Sequence, residues 1–175
     1  MTNEVDPFSS TEVVISAQDA VFWMDADGRW CNRHGPFQNS KIIDYFHRSI
    51  RRDDGGYFVS QIRDGVREKV YFRYAETPIF AVDVNLSHPP CLLLNTKRKS
   101  VLDPAGLFIR GDRLFMREDD EIIRFSERAM VKLSALMEDT PDGLCLCVEG
   151  VRHPIREIEE SGEMPTVPKG FRPPA

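Results

Sequence analysis

The chain has 175 residues, of which 41% are hydrophobic and 29% charged, and 23 basic against 28 acidic side chains give a net charge of -5. This composition is typical of a globular protein: it is too apolar for a disordered chain and too charged for a membrane protein. The acidic balance argues against a protein that binds DNA or RNA through a basic face. The length suits one large domain or two small ones.

The ends of the chain and its short apolar runs favour a cytoplasmic protein. The first ten residues, MTNEVDPFSS, contain acids where a secretion signal carries Lys or Arg, and no apolar run follows them. The longest apolar stretches, such as residues 91–94, are far shorter than the roughly 20 residues that cross a bilayer. Residues 1–18 are expected to form a flexible lead-in, and residues 157–175 a proline-containing extended tail.

The cysteines and histidines do not predict a metal site. The four cysteines include no C-x-x-C pair, and the four histidines fit no motif such as H-E-x-x-H. Cys145 and Cys147 have the spacing of one strand face, where small buried side chains are the simplest interpretation. We therefore expect neither a metal nor a cofactor.

Two amphipathic helices organise the middle of the chain. The first is expected to begin at Asn39 or Ser40 and to run to about Arg52, and the second to begin at Ser126 and to run to about Glu138. Each helix leads into a polar turn that contains glycine, which allows the positive φ found at helix ends.

The segments around the two helices also correspond. A strand and a hairpin follow each helix, with the turns Asp64-Gly65-Val66-Arg67 and Glu149-Gly150-Val151-Arg152, and strand-like sequence precedes each helix. This indicates a duplicated unit, in domains of residues 19–86 and 87–156. The alternative is a chance similarity between two amphipathic helices that each precede a hairpin.

Further strands complete an α+β fold with antiparallel sheets and two principal helices. Residues 69–74 alternate in polarity, and residues 79–84 form a nearly continuous apolar run that is typical of a central strand covered on both faces. Residues 92–94 and 107–109 are also expected to be strands.

No common catalytic or phosphate-loop motif is present, so the candidate chemistry rests on arginines and aromatic residues. Arg48, Arg51 and Arg52 are expected at the end of the first helix, where they would complement its dipole and could bind an anion. The alternative is an ordinary charged helix end. Arg124 and Arg128 bracket the start of the second helix, where their charges would add to the backbone donors only if a ligand lay near the amino end of that helix.

Two aromatic residues flank the first helix. Trp30 and Tyr57 are equipped to stack against a base next to the arginines. At strand positions the same side chains are also typical of a hydrophobic core.

Several segments together resemble DUF1285, a proteobacterial family of unknown function. They are DGRW at 27–30, a glycine at 35, RRDDGGY at 51–57, ETPIFAVDV at 76–84, NT at 95–96, LD at 102–103 and GVRHPI at 150–155. The order and spacing of these segments, rather than any one of them, carry the resemblance, which extends over residues 21–155.

The resemblance implies a duplicated α+β fold whose second half is superficially like a pleckstrin-homology barrel. It also implies a groove between the halves that binds a nucleotide-like ligand in bacterial signal transduction. The residues expected to bind that ligand are Trp30, Arg51, Arg52, Tyr57, Asn95, Arg124 and Arg128.

These observations support three functional hypotheses. The first is a non-enzymatic regulatory protein that senses a small ligand. The second is a protein-protein interaction module that acts as a homo-oligomer, with the segment 164–175 laid on a partner or on a second copy. The third is an enzyme with an unfamiliar site, whose sign would be a pocket that holds a titratable group of shifted pKa.

Overall fold

The computed structural model describes residues 11–160, which fall into two compact units, residues 11–74 and 75–160. The division comes ahead of the domain boundary expected after residue 86. The tail segment 164–175 lies outside the described residues. Within residues 11–160 no helix is long and apolar enough to cross a membrane.

The first unit consists of two small sheets and one helix among its described residues. Its elements are β1 (Glu12–Ile15), β2 (Phe22–Met24), β3 (Trp30–Asn32), β4 (Gly35–Pro36), α1 (Ser40–Arg48), β5 (Ile50–Asp53), β6 (Gly56–Arg63) and β7 (Val66–Tyr71). One sheet has the order β1-β7-β6-β5 and the other the order β2-β3-β4. Because β1 pairs in parallel with β7, the expectation that residues 1–18 form a loose lead-in is wrong for residues 12–15.

Helix α1 begins where the sequence predicts and ends earlier. The side chain of Asn39 caps it by accepting hydrogen bonds from the backbone N–H groups of Lys41 at 3.0 Å and Ile42 at 3.3 Å. The prediction that the helix continues to Arg52 is wrong, because Ile50–Asp53 forms β5 and pairs with β6. Ile50 lies opposite Val59, and both are buried, so hairpin pairing outweighs the helical periodicity.

The second unit is built around a larger sheet. Its elements are β8 (Phe80–Asn85), β9 (Cys91–Leu94), β10 (Lys99–Val101), a 3-10 turn (Pro104–Gly106), β11 (Leu107–Arg110), β12 (Arg113–Glu118), β13 (Glu121–Phe125), α2 (Glu127–Leu133), a second 3-10 turn (Ser134–Leu136), β14 (Met137–Thr140), β15 (Gly143–Val148), β16 (Val151–Pro154) and β17 (Arg156–Ile158). The seven-stranded sheet has the order β10-β9-β8-β13-β12-β11-β17, and β14-β15-β16 form a separate sheet.

The strand predictions for this unit are largely confirmed. β8 lies inside the large sheet between β9 and β13, as expected for the apolar run at 79–84. The expected start of the tail at residue 157 is corrected, because β17 pairs in parallel with β11 at the edge of the sheet.

Helix α2 follows the same pattern as α1. The hydroxyl of Ser126 accepts a hydrogen bond from the N–H of Ala129 at 3.2 Å, which confirms the predicted cap. The helix ends at Leu133 and not near Glu138, since Met137–Thr140 pairs with β15.

Each unit contains the same succession of elements: three antiparallel strands, a helix and three more antiparallel strands. The predicted hairpin turns also match in conformation. Asp64 and Gly65 have φ values of 51° and 77°, and Glu149 and Gly150 have 52° and 78°. A two-residue turn with positive φ at both positions suits the twist of a hairpin, and glycine takes the second position in both. The α+β class is confirmed.

Candidate anion-binding site

Three arginines of the second unit converge on one carboxylate. Oε1 of Glu76 lies 3.1 Å from Nη1 of Arg113 and 4.0 Å from Nη1 of Arg110. Oε2 of Glu76 lies 3.9 Å from Nη1 of Arg124. We call Arg110, Arg113 and Arg124 the arginine cluster.

Strand pairing brings the three arginines to one face of the large sheet. Arg110 and Arg113 are directly opposite each other across the turn that joins β11 to β12, where Gly111 has a φ of 58°. Arg124 on β13 is opposite Phe115 on β12. Residues opposite each other in an antiparallel pair, and residues two apart in one strand, point to the same face. Like charges placed directly opposite each other are unfavourable unless a negative charge lies between them.

The segment that carries Glu76 is fixed by two buried polar side chains. The hydroxyl of Thr77 donates to the carbonyl of Ile122 at 2.6 Å. The amide of Asn95 accepts from the N–H of Phe80 at 3.1 Å and donates to the carbonyl of Pro78 at 2.9 Å. Because both side chains are buried, these bonds hold the chain just after Glu76 in one conformation.

The cluster carries an excess of positive charge in a partly buried place. The side chains of Glu76, Arg110 and Arg124 are 15%, 16% and 16% exposed, and that of Arg113 is 34% exposed. One carboxylate offsets one of the three guanidinium charges, so a net charge of +2 is left among these four residues. The guanidinium of Arg124 also lies over the ring of Phe80, 5.5 Å from its centroid. Positive charge that is partly shielded from water attracts anions more strongly than the same charge at the open surface.

Four of the residues predicted to bind a ligand lie in the first unit. Trp30 is 1% exposed and packs against the rings of Phe22, Phe46 and Phe72 at 4.8 to 5.7 Å between centroids. Tyr57 is 6% exposed, and Arg52 lies over its ring at 5.5 Å.

Arg51 and Arg52 are strand residues and not helix-end residues, which corrects the argument from the helix dipole. Nη1 of Arg51 donates to the carbonyls of Arg48 and Ile50, each at 2.8 Å, so it links β5 to the end of α1.

The other three predicted residues have different places in the second unit. Arg124 belongs to the arginine cluster, and Asn95 supports the segment that carries Glu76. Arg128 is 72% exposed and lies 3.4 Å from Asp83, outside the cluster. Hydrogen bonding from Lys132, with a smaller effect of the Arg128 charge, lowers the pKa of Asp83 below its ordinary value.

Sequence reasoning did not identify Glu76, Arg110 and Arg113 as site residues. A signal for two of them exists in the sequence Arg110-Gly111-Asp112-Arg113, where a tight turn sets two arginines opposite each other. Glu76 opens the segment 76–84 that contributes to the family resemblance. Among residues 11–160 no group of three or more His, Cys, Asp or Glu side chains is arranged to hold a metal ion.

Comparison with known proteins identifies the fold. The structure is similar to the crystal structure of a DUF1285 family protein from Silicibacter pomeroyi DSS-3, with a TM-score of 0.56, 16% sequence identity and coverage of 83% of each chain. A DUF1285 family protein from Shewanella baltica OS155 matches with a TM-score of 0.47 and 13% identity, over 66% of this chain and 91% of that chain. No family model and no curated protein matches the sequence.

The chain therefore has the fold of a DUF1285 family protein, as the sequence resemblance suggested, and the expected α+β class is confirmed.

Proposed function

We propose that this protein is a non-enzymatic regulatory protein that senses a small anionic ligand through the arginine cluster. The observation that carries the proposal is the convergence of Arg110, Arg113 and Arg124 on the single carboxylate of Glu76. A ligand with two negative charges would balance the net charge of this group. Arginine suits the role because its planar fork donates two parallel hydrogen bonds to a phosphate or carboxylate.

The phosphate part of a nucleotide-like ligand fits this chemistry. The stacking role expected of Trp30 and Tyr57 has less support, because their rings are 1% and 6% exposed and present little surface to a base. The ligand class that we favour is therefore a phosphate monoester or a pyrophosphate, with or without a nucleoside. The proposed place in bacterial signal transduction rests on the family resemblance, and the proposed cytoplasmic location rests on the short apolar runs of the sequence.

The test is equilibrium binding by titration calorimetry with inorganic phosphate, pyrophosphate and nucleoside mono-, di- and triphosphates. We expect pyrophosphate or one of the nucleotides to bind, and Arg113→Ala to weaken that binding by roughly ten- to one hundred-fold, since a charge-assisted hydrogen bond contributes about 1.5 to 3 kcal/mol. Arg113 is the most exposed member of the cluster, so its replacement is the least disturbing to the fold.

Arg128→Ala is the matched control. It removes the same charge from the same unit at a 72% exposed position outside the cluster. Equal weakening by the two substitutions would indicate a general charge effect, and an unchanged affinity in Arg113→Ala would remove the cluster from the site. The double variant Arg51→Ala with Arg52→Ala tests the ligand residues expected in the first unit.

We also propose that the two units arose by duplication. The shared succession of elements and the matched φ values of the two hairpin turns support this. The pleckstrin-homology likeness of the second half stays a prediction.

A second candidate function is a protein-protein interaction through α1. Ile42 and Tyr45 on this helix are each 47% exposed, and Ile42 borders an open cavity of about 400 Å³ that is also lined by Phe37 and His34. Exposed apolar side chains beside a concave surface are typical of interaction sites. Light scattering over a range of concentrations tests this: Ile42→Asp should lower the apparent mass of an oligomer, while Val131→Asp, at a 73% exposed position of α2, should not.

A further inference from the structure

We propose that the segment Arg156 to Glu160 is a displaceable strap that competes with the anionic ligand for the arginine cluster. We define the strap as strand β17 together with Glu159 and Glu160. This inference rests on the function proposed above and concerns the regulation of the same site.

The strap is attached to the strand that carries Arg110. Strand β17 adds in parallel to the edge of the large sheet, with Arg156 opposite Phe108 and Ile158 opposite Arg110. This attachment is short, because it consists of three residue pairs along one edge of β17. Ile158 packs on the buried cluster of Phe108, Phe115 and Ile122, where the rings of the two phenylalanines stack 5.3 Å apart. Ile158 is therefore the main apolar anchor of the strap.

Beyond the anchor, Glu160 occupies donors of the arginine cluster. Its backbone carbonyl accepts hydrogen bonds from Nε and Nη2 of Arg110, the first at 3.2 Å. Its carboxylate oxygen Oε1 lies 3.8 Å from Nη2 of Arg113. Two oxygens of Glu160 thus lie at the guanidinium groups of Arg110 and Arg113, which the oxygens of an anionic ligand would also need.

The turn between β11 and β12 leaves room for this contact. A Cβ atom at Gly111 would lie 2.5 Å from Oε1 of Glu160, so the absence of a side chain there allows the carboxylate to approach. The side chain of Glu160 is nevertheless 72% exposed. A contact that is mostly exposed to water is weak and readily broken. This is what a displaceable occupant requires.

The charge of the strap explains why it would compete and not cooperate. Glu160 reduces the net charge around the cluster from +2 to +1. An incoming anion is repelled by the Glu160 carboxylate and needs the donors that the Glu160 carbonyl holds. Binding of the anion is therefore expected to release the strap.

The experiment measures pyrophosphate affinity of the full chain by titration calorimetry in three variants. Glu160→Gln removes one charge at the cluster and should tighten binding by about two- to five-fold, the range for an exposed ion pair. Ile158→Ser removes the apolar anchor without adding charge and should tighten binding further. Glu159→Gln changes the net charge of the chain by the same amount as Glu160→Gln, one residue away, and should leave the affinity within two-fold of the wild type.

Hydrogen exchange of the wild type provides an independent readout. Saturating pyrophosphate should accelerate exchange of the backbone amides of residues 156–158, because the strap leaves β11. Slower exchange, or equal affinities in all three variants and the wild type, would overturn the strap while leaving the anion site intact. If neither the wild type nor Ile158→Ser binds pyrophosphate or any other anion of the panel, the anion site itself is refuted and the strap with it.

Discussion

Nη1 of Arg113 lies 3.1 Å from Oε1 of Glu76, and this contact joins the start of β12 to the segment that precedes β8. Arg110 and Arg124 approach the same carboxylate, at 4.0 and 3.9 Å. Glu76 is thus the common counter-charge of three guanidinium groups, and its removal has consequences for the fold as well as for a ligand.

The first prediction concerns this counter-charge. Glu76→Gln keeps the shape of the side chain but leaves three partly buried positive charges without their carboxylate. We expect the free energy of unfolding to fall by roughly 1 to 3 kcal/mol, less than for a fully buried pair because Arg113 is one-third exposed. Urea denaturation measures the change. Sulfate at a fixed ionic strength should restore more stability to the variant than to the wild type, because the anion replaces the missing charge.

Glu159→Gln is the control for Glu76→Gln, since it makes the same chemical change at an exposed position. A surface substitution of this kind is expected to change stability by less than about 0.5 kcal/mol. Equal stability of Glu76→Gln and the wild type would show that the arginines do not depend on the carboxylate.

The second prediction concerns acid sensitivity in the first unit. Asp53 accepts hydrogen bonds from Nζ of Lys69, from the hydroxyl of Tyr71 at 3.0 Å and from the N–H of Gly55 at 2.9 Å. Hydrogen bonding from Lys69 is the main cause that lowers the pKa of Asp53, and partial burial opposes it. The unfolded chain therefore takes up a proton at this position more readily than the folded chain does.

It follows that the contribution of Asp53 to stability is complete above its ordinary pKa of 3.8 and is lost as the pH falls through its lowered folded pKa. Asp53→Asn should be less stable than the wild type at neutral pH and should lose less stability on acidification. Denaturation at a series of pH values from about 6 down to about 2 measures this difference. Asp54→Asn, at the exposed neighbouring position, should retain the acid sensitivity of the wild type.

The sequence predicted the local features of this fold better than the site. The helix caps at Asn39 and Ser126, the hairpin turn at Asp64 and Gly65, and the central position of β8 depend on short-range chemistry and were all predicted. The positions at which the two helices end were not predicted. The end of α1 is decided by the pairing of Ile50 with Val59, and that pairing depends on a strand that lies beyond the next turn.

The arginine cluster likewise depends on pairing between segments that are distant in the sequence. Arg124 was singled out from its place near a helix start, but its partner Glu76 is distant in the sequence. Only the parallel pairing of β13 with β8 brings Arg124 next to Phe80 and the segment before it. Spacing along the chain carries little information on such a parallel pair, so the cluster could not be assembled from the sequence.

The third prediction concerns Trp30, which the sequence suggested as a stacking residue. Its ring is 1% exposed and packs against Phe46 and Phe72, so Trp30→Ala should lower the free energy of unfolding by about 3 to 5 kcal/mol. Trp30→Phe should cost much less, because Nε1 of the indole is buried without a hydrogen-bond partner among residues 11–160 and its removal breaks no bond there. Thermal unfolding compares the two. If Trp30→Phe instead abolished ligand binding in a fully folded protein, a direct binding role would be established.

The fourth prediction separates two neighbouring polar residues that follow β9. Asn95 bonds the backbone of Pro78 and Phe80, so Asn95→Ala should leave a buried N–H and a buried carbonyl unpaired and lower the free energy of unfolding by about 2 to 4 kcal/mol. The hydroxyl of Thr96 is buried without a hydrogen-bond partner within the described part of the chain. Thr96→Val removes it at nearly constant shape and should be neutral or stabilising.

Urea denaturation of the two variants gives the contrast directly. Because Asn95 holds the segment that carries Glu76, Asn95→Ala should also loosen the arginine cluster and weaken pyrophosphate binding in the fraction that stays folded, while Thr96→Val should bind as the wild type does. A stable Asn95→Ala protein with lost binding would instead make Asn95 a ligand contact, as the sequence first suggested. The two readouts together therefore distinguish a residue that supports the site from one that touches the ligand.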